Sequence, residues 1–361
     1  MSYLCSVGLG IPKHTITQER VKTLVEEIFP LPKKEIERLL PVFDHAEIFE
    51  RQLVVEEDWF KNDHTFEERN QLYQEHALTY SLQAIDHCLT NREFLEKDFP
   101  YKAIDAIIYI SSTGISTPSI EAYIMNERPF REDIIRMPLW GLGCAGGVMG
   151  LARAFDWLTA HPDKNVLVIS CELCSLTFQK NDLKKSNLIG TALFGDGISA
   201  VLLMGNQSPY LTYTKGSKPK VLQTSSYTKK DSIDVMGWNV TDSGFEVIFS
   251  KEIPTLVNTI WKNHLLDFLK ILTLKEQEID FYIAHPGGMK VLLAIKESLN
   301  IASSKLKYSY EILAKHGNMS SATVFYVLQK WMKQEIPKQK KSIITALGPG
   351  FSSELLFLEW I

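Results

Sequence analysis

The second half of this chain repeats the pattern of the first half at a nearly constant distance along the sequence. The stretches IDAIIYISSTG from Ile104 and IDFYIAHPGG from Ile279 each predict a buried strand that ends in a glycine-containing loop. Small residues that lead into a helical pattern recur at Gly143 and Gly317. The distance along the chain from Gly143 to Gly317 equals that from Ile104 to Ile279 to within one position. A strand and a helix therefore recur together, in the same order.

The two apolar runs that follow preserve this relationship. VLVIS from Val166 and SIITAL from Ser342 begin at almost the same separation as the two earlier pairs. The last pair, GISAVLLM from Gly197 and GFSSELLF from Gly350, is clearly closer together in the sequence. The first half has a longer segment before its last strand, which accounts for the shorter distance.

This repeated succession of strands and helices predicts an α/β fold made of two duplicated halves, each with a sheet covered by helices. Chance similarity between alternating strands and helices is the alternative explanation. We place the halves at residues 1–205 and 206–361. If the repeat is real, pseudo-twofold symmetry brings the loop at Cys144 near the loop at Asn318. Three helices are also predicted near the amino terminus, over residues 17–29, 33–40 and 70–89.

Composition and charge exclude several classes of function. The formal net charge of −4 gives no electrostatic reason to expect a nucleic-acid partner. The amino terminus lacks the features of a signal peptide, and no apolar stretch is long enough to cross a membrane, so we expect a cytoplasmic protein without stable membrane insertion. Five cysteines, an odd number without a secretion signal, indicate reduced thiols and no disulfide framework.

The stretch WGLGCAGGVMG, residues 140–150, contains a G-x-G-x-x-G motif that opens a helical pattern. One interpretation is a dinucleotide site, with Glu172 at the end of the next predicted strand as the ribose-binding acid. Two features argue against it. Pro138 interrupts the approaching strand, and no nicotinamide-side half follows the motif. A nucleotide-binding dehydrogenase that uses Gly141, Gly143 and Gly146 nevertheless stays an alternative from a different functional class.

The other interpretation makes Cys144, in the middle of this motif, a nucleophile. A thiol at a helix amino terminus is expected to have a lowered pKa, and flanking glycines let a substrate approach. His285 follows a predicted strand in AHPGG, and Asn318 stands at a predicted helix start in GNMSSAT. Packing, surface exposure or helix capping are the alternatives for these residues. His316 ranks below His285 as the catalytic histidine, because no strand positions it.

The spacing of Cys171 and Cys174 in CELC is that of a metal or redox pair. Zinc needs two more ligands, and the sequence offers no second C-x-x-C and no closely spaced histidine pair. A redox dithiol is the other alternative. Buried packing is the favoured interpretation, so we expect no metal site.

Five separated motifs, GLGCAGG, AHPGG, GNMSSAT, ALFGDG and ALGPGF, resemble those of the type III polyketide synthases, the chalcone synthase-like branch of the thiolase superfamily. The resemblance covers essentially the whole chain. It implies the thiolase-like five-layered αβαβα fold made of two duplicated halves. It also implies that Cys144 is the acyl-bearing nucleophile, and that His285 and Asn318 complete the catalytic triad.

The resemblance assigns further residues to substrate binding. Phe194 matches the gatekeeper between the substrate channel and the cavity, and Thr117 matches the position through which a partner subunit closes each cavity, which implies a homodimer. The remaining matches line or shape the cavity: Thr177, Ser320, Gly348, Pro349 and Gly350.

Three differences from the plant enzymes limit which residue roles can be transferred to this chain. Ala145 after the cysteine resembles the bacterial branch, where plant members usually have an aromatic residue. The second gatekeeper phenylalanine, expected within residues 238–249, stays unassigned. The basic residues that bind coenzyme A in plant enzymes fall near residues 33–51, where this chain mixes basic with acidic residues. Coenzyme A recognition is therefore also unassigned.

The activity implied by the resemblance is decarboxylative condensation. An acyl starter, expected to be a long-chain fatty acyl group, moves from a coenzyme A thioester onto Cys144 and is extended with malonyl-coenzyme A to alkylpyrone products, as in bacterial alkylpyrone synthases. Both thioesters are substrates, and no further cofactor is expected. The alternatives are a ketoacyl synthase III-like enzyme that performs one extension, the dehydrogenase described above, and a catalytically silent binding protein of the same fold.

Overall fold

The computed structural model describes residues 1–30 and 32–361. Strands and helices are interspersed along both halves of the chain. The strands of the described chain are β1 (Ser2–Gly10), β2 (His14–Thr17), β3 (Glu50–Leu53), β4 (Ala106–Ser111), β5 (Ile135–Trp140), β6 (Asn165–Leu173), β7 (Asp196–Gly205), β8 (Pro219–Thr228), β9 (Met236–Thr241), β10 (Gly244–Phe249), β11 (Phe281–Ala284), β12 (Lys341–Gly348) and β13 (Ser352–Trp360).

The helices include all three that were predicted near the amino terminus. The longest of these begins at a capping box, in which Thr65 accepts from the backbone N–H of Glu68 and Glu68 accepts from that of Thr65. No helix within the two described ranges is both long and apolar enough to cross a membrane. The helices are α1 (Gln18–Ile28), α2 (Lys33–Leu39), α3 (Pro41–Asp44), α4 (Phe66–Thr90), α5 (Ile120–Glu127), α6 (Gly146–Ala160), α7 (Lys185–Leu193), α8 (Ile253–Leu256), α9 (Lys262–Ile271), α10 (Met289–Leu299), α11 (Lys307–His316) and α12 (Thr323–Met332).

The large sheet consists of two half-sheets with the same strand order. Its order is β11-β12-β13-β8-β1-β7-β6-β4-β5. Counted outward from the centre, the first half gives β1-β7-β6-β4 and the second gives β8-β13-β12-β11. In both halves the second pairing is antiparallel and the third is parallel. Only two residue pairs, Ser2 with Val221 and Tyr3 with Lys220, join the halves. The duplication predicted from the sequence is confirmed.

The helices form three layers around these half-sheets. Helices α6 and α12 contact strands of both half-sheets and each other, so they form the middle layer. Helix α4 packs against β1 and β7 on the outer side of the first half-sheet. On β12, Ile344 packs with the middle layer, whereas the neighbouring Ile343 packs with α9 and α10 on the far side. The order helix, sheet, helix, sheet, helix is the predicted five-layered αβαβα fold.

Two glycines of the G-x-G-x-x-G motif are required by close packing around the start of α6, whereas the first, Gly141, has a positive φ of 81° and open space around it. Gly143 has a positive φ of 48°, and a Cβ at this position would lie 2.7 Å from Cδ of Pro349. A Cβ at Gly146 would lie 2.7 Å from a side-chain carbon of Ile110 on β4. Both glycines therefore let neighbouring segments of the protein pack closely. Those segments occupy the space that a side chain would need.

Candidate active site

The three predicted catalytic residues come together at the ends of elements from both halves. Cys144 lies in the short turn Gly143–Ala145 that leads into α6. His285 directly follows β11, and Asn318 lies between α11 and α12. All three line one cavity, and the Cys144 Sγ lies 4.0 Å from both Oδ1 and Nδ2 of Asn318. The pseudo-twofold arrangement predicted from the repeat therefore brings the two loops together.

The hydrogen bonds of Asn318 fix the orientation of its side-chain amide. Its Oδ1 accepts from the backbone N–H of Ser320 at 2.8 Å, and its Nδ2 donates to the carbonyl of Gly287 at 3.1 Å. The opposite orientation would place two donors together and two acceptors together. One N–H of Nδ2 stays free on the side of Cys144. Asn318 therefore presents a hydrogen-bond donor to the sulfur and does not act as a helix cap.

His285 is buried with its ring directed into the cavity. Its backbone N–H donates to the carbonyl of Thr345 at 2.8 Å, which continues the pairing of β11 with β12. Neither ring nitrogen has a hydrogen-bond partner in the described part of the chain. Burial lowers the pKa of His285 to about 3, because the imidazolium loses its hydration in this environment. The free protein therefore holds a neutral imidazole at physiological pH.

The pKa of Cys144 does not follow the sequence-based expectation. Burial raises it to about 11, whereas hydrogen bonds from Ser320 and Asn318 act in the opposite direction and the charge of Glu172 raises it further. The prediction of a lowered pKa was wrong because the turn lies in the interior of the fold, where the loss of hydration dominates. Cys144 is half-buried, and the other four cysteines, all within the described ranges, are buried.

Phe194 connects the catalytic residues to an aromatic group. The backbone N–H of Asn318 donates to the carbonyl of Leu193 at 2.8 Å, and that of Gly195 donates to the carbonyl of Asn318 at 3.1 Å. The ring centroid of Phe194 lies 5.6 Å from those of Trp238 and Phe249, which belong to the hairpin of β9 and β10. Both residues lie in the segment where the second gatekeeper phenylalanine is expected, and their rings contact Phe194. The alternating pattern of the sequence around Trp238 and Phe249 is typical of strands, but it does not indicate their contact with Phe194.

Two cavities meet at Phe194. The first, called here the catalytic chamber, is lined by Cys144, Phe194, Ser320 and Pro349 together with the aromatic hairpin. The second, called here the acyl cavity, is lined by Phe194 and Thr177, by apolar residues of α1 and by small or polar residues of α7. Thr177 lines the acyl cavity, and Ser320 and Pro349 line the catalytic chamber.

The remaining predicted residues lie around the site without lining either space. A Cβ at Gly348 would lie 2.5 Å from the Cβ of Ala145, so this glycine packs against the turn that carries Cys144. Gly350 has a positive φ of 107° and shapes the bend between β12 and β13. Thr117 lies on an exposed loop away from the catalytic chamber of its own chain.

Glu172 and the CELC cysteines are part of the interior. The Glu172 carboxylate accepts from the backbone N–H of Ser112 at 3.1 Å and from the hydroxyls of Ser112 and Ser321. Burial raises its pKa to about 7. Glu172 is therefore inaccessible to a ribose. Cys171 and Cys174 are buried, and the residues that the structure describes contain no group of three or more metal-ligating side chains.

Family models for chalcone and stilbene synthases match nearly the entire chain. The N-terminal domain model matches residues 2–207, and the C-terminal domain model matches residues 224–361. The chain belongs to the chalcone and stilbene synthase family. The dinucleotide interpretation of the G-x-G-x-x-G motif is therefore wrong, and in this chain Gly143 and Gly146 serve packing.

Individual members of this family match this chain over nearly its full length. A putative chalcone synthase of Bacillus subtilis is 47% identical, covering 100% of this chain and 99% of the relative. An alpha-pyrone synthesis polyketide synthase-like protein of Mycobacterium tuberculosis is 27% identical, covering 98% and 90%. The crystal structure of 1,3,6,8-tetrahydroxynaphthalene synthase from Streptomyces coelicolor, a bacterial type III polyketide synthase, superimposes with a TM-score of 0.89 at 27% identity and covers 99% of both chains.

Proposed function

We propose that this type III polyketide synthase family member loads a long-chain fatty acyl group from a coenzyme A thioester onto Cys144 and extends it with malonyl-coenzyme A to alkylpyrones. One observation carries the proposal. A thiol, an imidazole and an amide donor line one cavity, and the thiol also lines the catalytic chamber, which shares Phe194 with the mainly apolar acyl cavity. The three groups have the chemistry that acyl transfer and carbanion formation require.

Loading begins with a neutral thiol beside a neutral imidazole. A single charge on either group is unfavourable here, as the raised pKa of Cys144 and the lowered pKa of His285 indicate. Transfer of the thiol proton to the imidazole creates two opposite charges with no net charge, so it avoids most of that cost. The sulfur attacks the thioester carbon, and the bond from that carbon to the coenzyme A sulfur breaks. The imidazolium proton then goes to the departing coenzyme A thiolate.

Extension uses two hydrogen-bond donors, one on Asn318 and one on His285, to bind a second thioester. The malonyl thioester oxygen accepts from the free N–H of Asn318 and from the His285 ring. The bond to the malonyl carboxylate breaks, carbon dioxide leaves, and the electron pair of that bond forms an enolate. Both donors stabilise its oxygen without a metal. The enolate carbon attacks the acyl group on Cys144, whose sulfur leaves as a thiolate. For the next round this thiolate attacks the thioester carbon of the lengthened chain, and coenzyme A leaves as a thiolate that takes up a proton from water.

The acyl cavity supports a long aliphatic starter. Its wall includes Val21, Leu24 and Val25 from one face of α1, all buried. An aliphatic chain placed there loses contact with water, which favours binding by about 0.8 kcal/mol for each methylene group. A relative in M. tuberculosis is described as acting in alpha-pyrone synthesis, which agrees with the proposed product class.

A panel of acyl-coenzyme A starters tests this function. With malonyl-coenzyme A, we expect alkylpyrones from dodecanoyl and longer starters, identified by mass spectrometry. Val25→Trp fills the acyl cavity and is expected to reduce kcat/KM for the longest starters by about tenfold relative to the shortest. The matched control is Ile271→Trp, at a position 71% exposed on α9, which is expected to leave the preference unchanged. A product made from malonyl units alone would contradict the proposed starter.

The edge of the first half-sheet supports a homodimer. Strand β5 is the outermost strand, with Ile135 45% and Trp140 52% exposed at its ends. An exposed edge strand with apolar side chains is a surface that native proteins normally cover. The exposed loop that carries Thr117 lies next to it, because the Trp140 Nε1 donates to the carbonyl of Gly114 at 2.9 Å. This arrangement suits a partner subunit that delivers Thr117 to the neighbouring cavity.

Sedimentation analysis tests the dimer directly. We expect a species of twice the chain mass of 41.1 kDa at micromolar concentration. Trp140→Glu places a charge on the proposed contact and is expected to shift the population towards the monomer. Glu132→Gln, a change in an exposed acid near the same strand, serves as the control. A monomer for the unchanged chain at these concentrations would overturn the assignment.

A further inference from the structure

Arg51 on β3 is a buried arginine whose hydrogen bonds all go to backbone carbonyls. It is 1% exposed. Its Nη1 donates to the carbonyls of Thr191 and Phe194 at 2.9 and 3.0 Å, and its Nη2 donates to that of Ala192 at 3.0 Å. No acidic side chain in the described part of the chain offsets its burial, which lowers its pKa to about 9. Arg51 is therefore unavailable to a coenzyme A phosphate.

The three carbonyls belong to the end of α7 and the residue that follows it. The last carbonyls of a helix have no partner within the helix, and a cation near them is favoured by the helix dipole. A planar guanidinium offers several N–H groups in one fixed geometry, which a lysine ammonium does not. Arg51 thus sets the path of the backbone over residues 191–194.

That path determines the position of both Phe194 and Asn318. Phe194 stands between the catalytic chamber and the acyl cavity. The backbones of Leu193 and Gly195 hold Asn318 through the two hydrogen bonds described above. Because the Asn318 amide lies 4.0 Å from the Cys144 sulfur, a shift of the segment moves the donor relative to the reacting carbon. Arg51 itself also lines the acyl cavity.

We infer that Arg51 is a positioning residue that couples starter selection to chain extension, by holding Phe194 and Asn318 through one backbone segment. The inference rests on the proposed function and deepens it. Arg51 touches no reacting atom. Its substitution changes which starters pass Phe194 and how well the enolate is stabilised. The turn that holds Cys144 at the start of α6 is expected to keep its geometry. Loading and extension should therefore respond differently.

Single-turnover measurements on Arg51→Lys separate the two steps. Intact-mass detection gives the rate at which the acyl group appears on Cys144, and added malonyl-coenzyme A gives the rate at which it is consumed. We expect loading to fall less than about threefold and extension to fall about tenfold, since small misplacements of catalytic groups are costly. The starter length that gives the highest kcat/KM should also change. Arg51→Met should show larger effects, with Arg51→Lys as the partial rescue.

Arg69→Lys is the matched control. Arg69 is also buried and donates only to backbone carbonyls, those of His64, Leu176 and Phe178. It makes no hydrogen bond to residues 191–195, so its substitution is expected to lower stability without changing the ratio of extension to loading. Equal ratios in the Arg51 and Arg69 variants would overturn the inference and leave a purely structural role. Absence of extension in the unchanged protein would instead contradict the proposed function.

Discussion

Replacement of Cys144 by alanine is expected to abolish acyl transfer, lowering the rate of product formation by more than about 1,000-fold. The sulfur is the only atom on which the proposed mechanism holds the starter between rounds. After incubation with a fatty acyl-coenzyme A, the unchanged protein should gain the mass of one acyl group, and Cys144→Ala should gain none. Intact-mass spectrometry measures both.

The other cysteines provide the control for this experiment. Cys88 is buried against the first half-sheet, and burial raises its pKa to about 12, so its thiol is unreactive. Cys88→Ala is therefore expected to acquire one acyl group at the same rate as the unchanged protein. Acylation that persists in Cys144→Ala would contradict the assignment of the nucleophile.

The pH dependence of alkylation distinguishes the contribution of His285. A thiol with a pKa raised to about 11 is protonated at neutral pH. At pH values below this pKa, each increase of one pH unit raises the thiolate fraction about tenfold. In His285→Gln, which lacks a base, the rate of reaction with iodoacetamide should follow this slope from pH 7 to 10. In the unchanged protein the imidazole accepts the thiol proton, so the slope should be shallower. Identical slopes would exclude His285 as the proton acceptor.

The duplicated fold was predictable because its strands are short, buried and punctuated by glycine loops. The sequences that begin at Ile104 and Ile279 have the same local pattern. They form β4 and β11, each of which is the fourth strand from the centre of the sheet. Strands β1 and β8 were not predicted. They join the halves by pairing Ser2 with Val221 and Tyr3 with Lys220, a contact between distant parts of the sequence that no local pattern records. The boundary between residues 205 and 206 stays a prediction.

The meeting of the three candidate site residues was predictable from their positions at strand and helix ends, but their environment was not. Cys144 stands at a helix start, where local reasoning favours a lowered pKa, yet the burial that raises it comes from distant segments. Phe249 meets Phe194 only because a hairpin folds over the site. Arg51 lies in the stretch of mixed charge for which no coenzyme A role could be assigned, and its carbonyl partners lie in a distant part of the chain, at the end of α7. Tertiary packing decides each of these properties.

Replacement of Asn318 by aspartate is expected to lower the rate of extension by about 100-fold while starter loading continues. Aspartate preserves the shape of the side chain and the oxygen that accepts from the Ser320 N–H, so the turn keeps its hydrogen bond. It replaces Nδ2 by an acceptor, which removes both the N–H that faces the Cys144 sulfur and the N–H that donates to the Gly287 carbonyl. The enolate oxygen then loses one of its two donors and meets a negative charge, whereas loading depends on the proton transfer to His285.

Rapid-quench intact-mass measurements separate these steps in Asn318→Asp. We expect the acyl-Cys144 species to form and then persist after malonyl-coenzyme A is added, with little release of carbon dioxide. Asn318→Ala should show the same block, because it also lacks the donor but adds no charge. A block in Asn318→Asp alone would assign the effect to repulsion and not to the lost donor. Normal extension in both variants would show that His285 stabilises the enolate without the amide, and the two-donor mechanism would then be wrong.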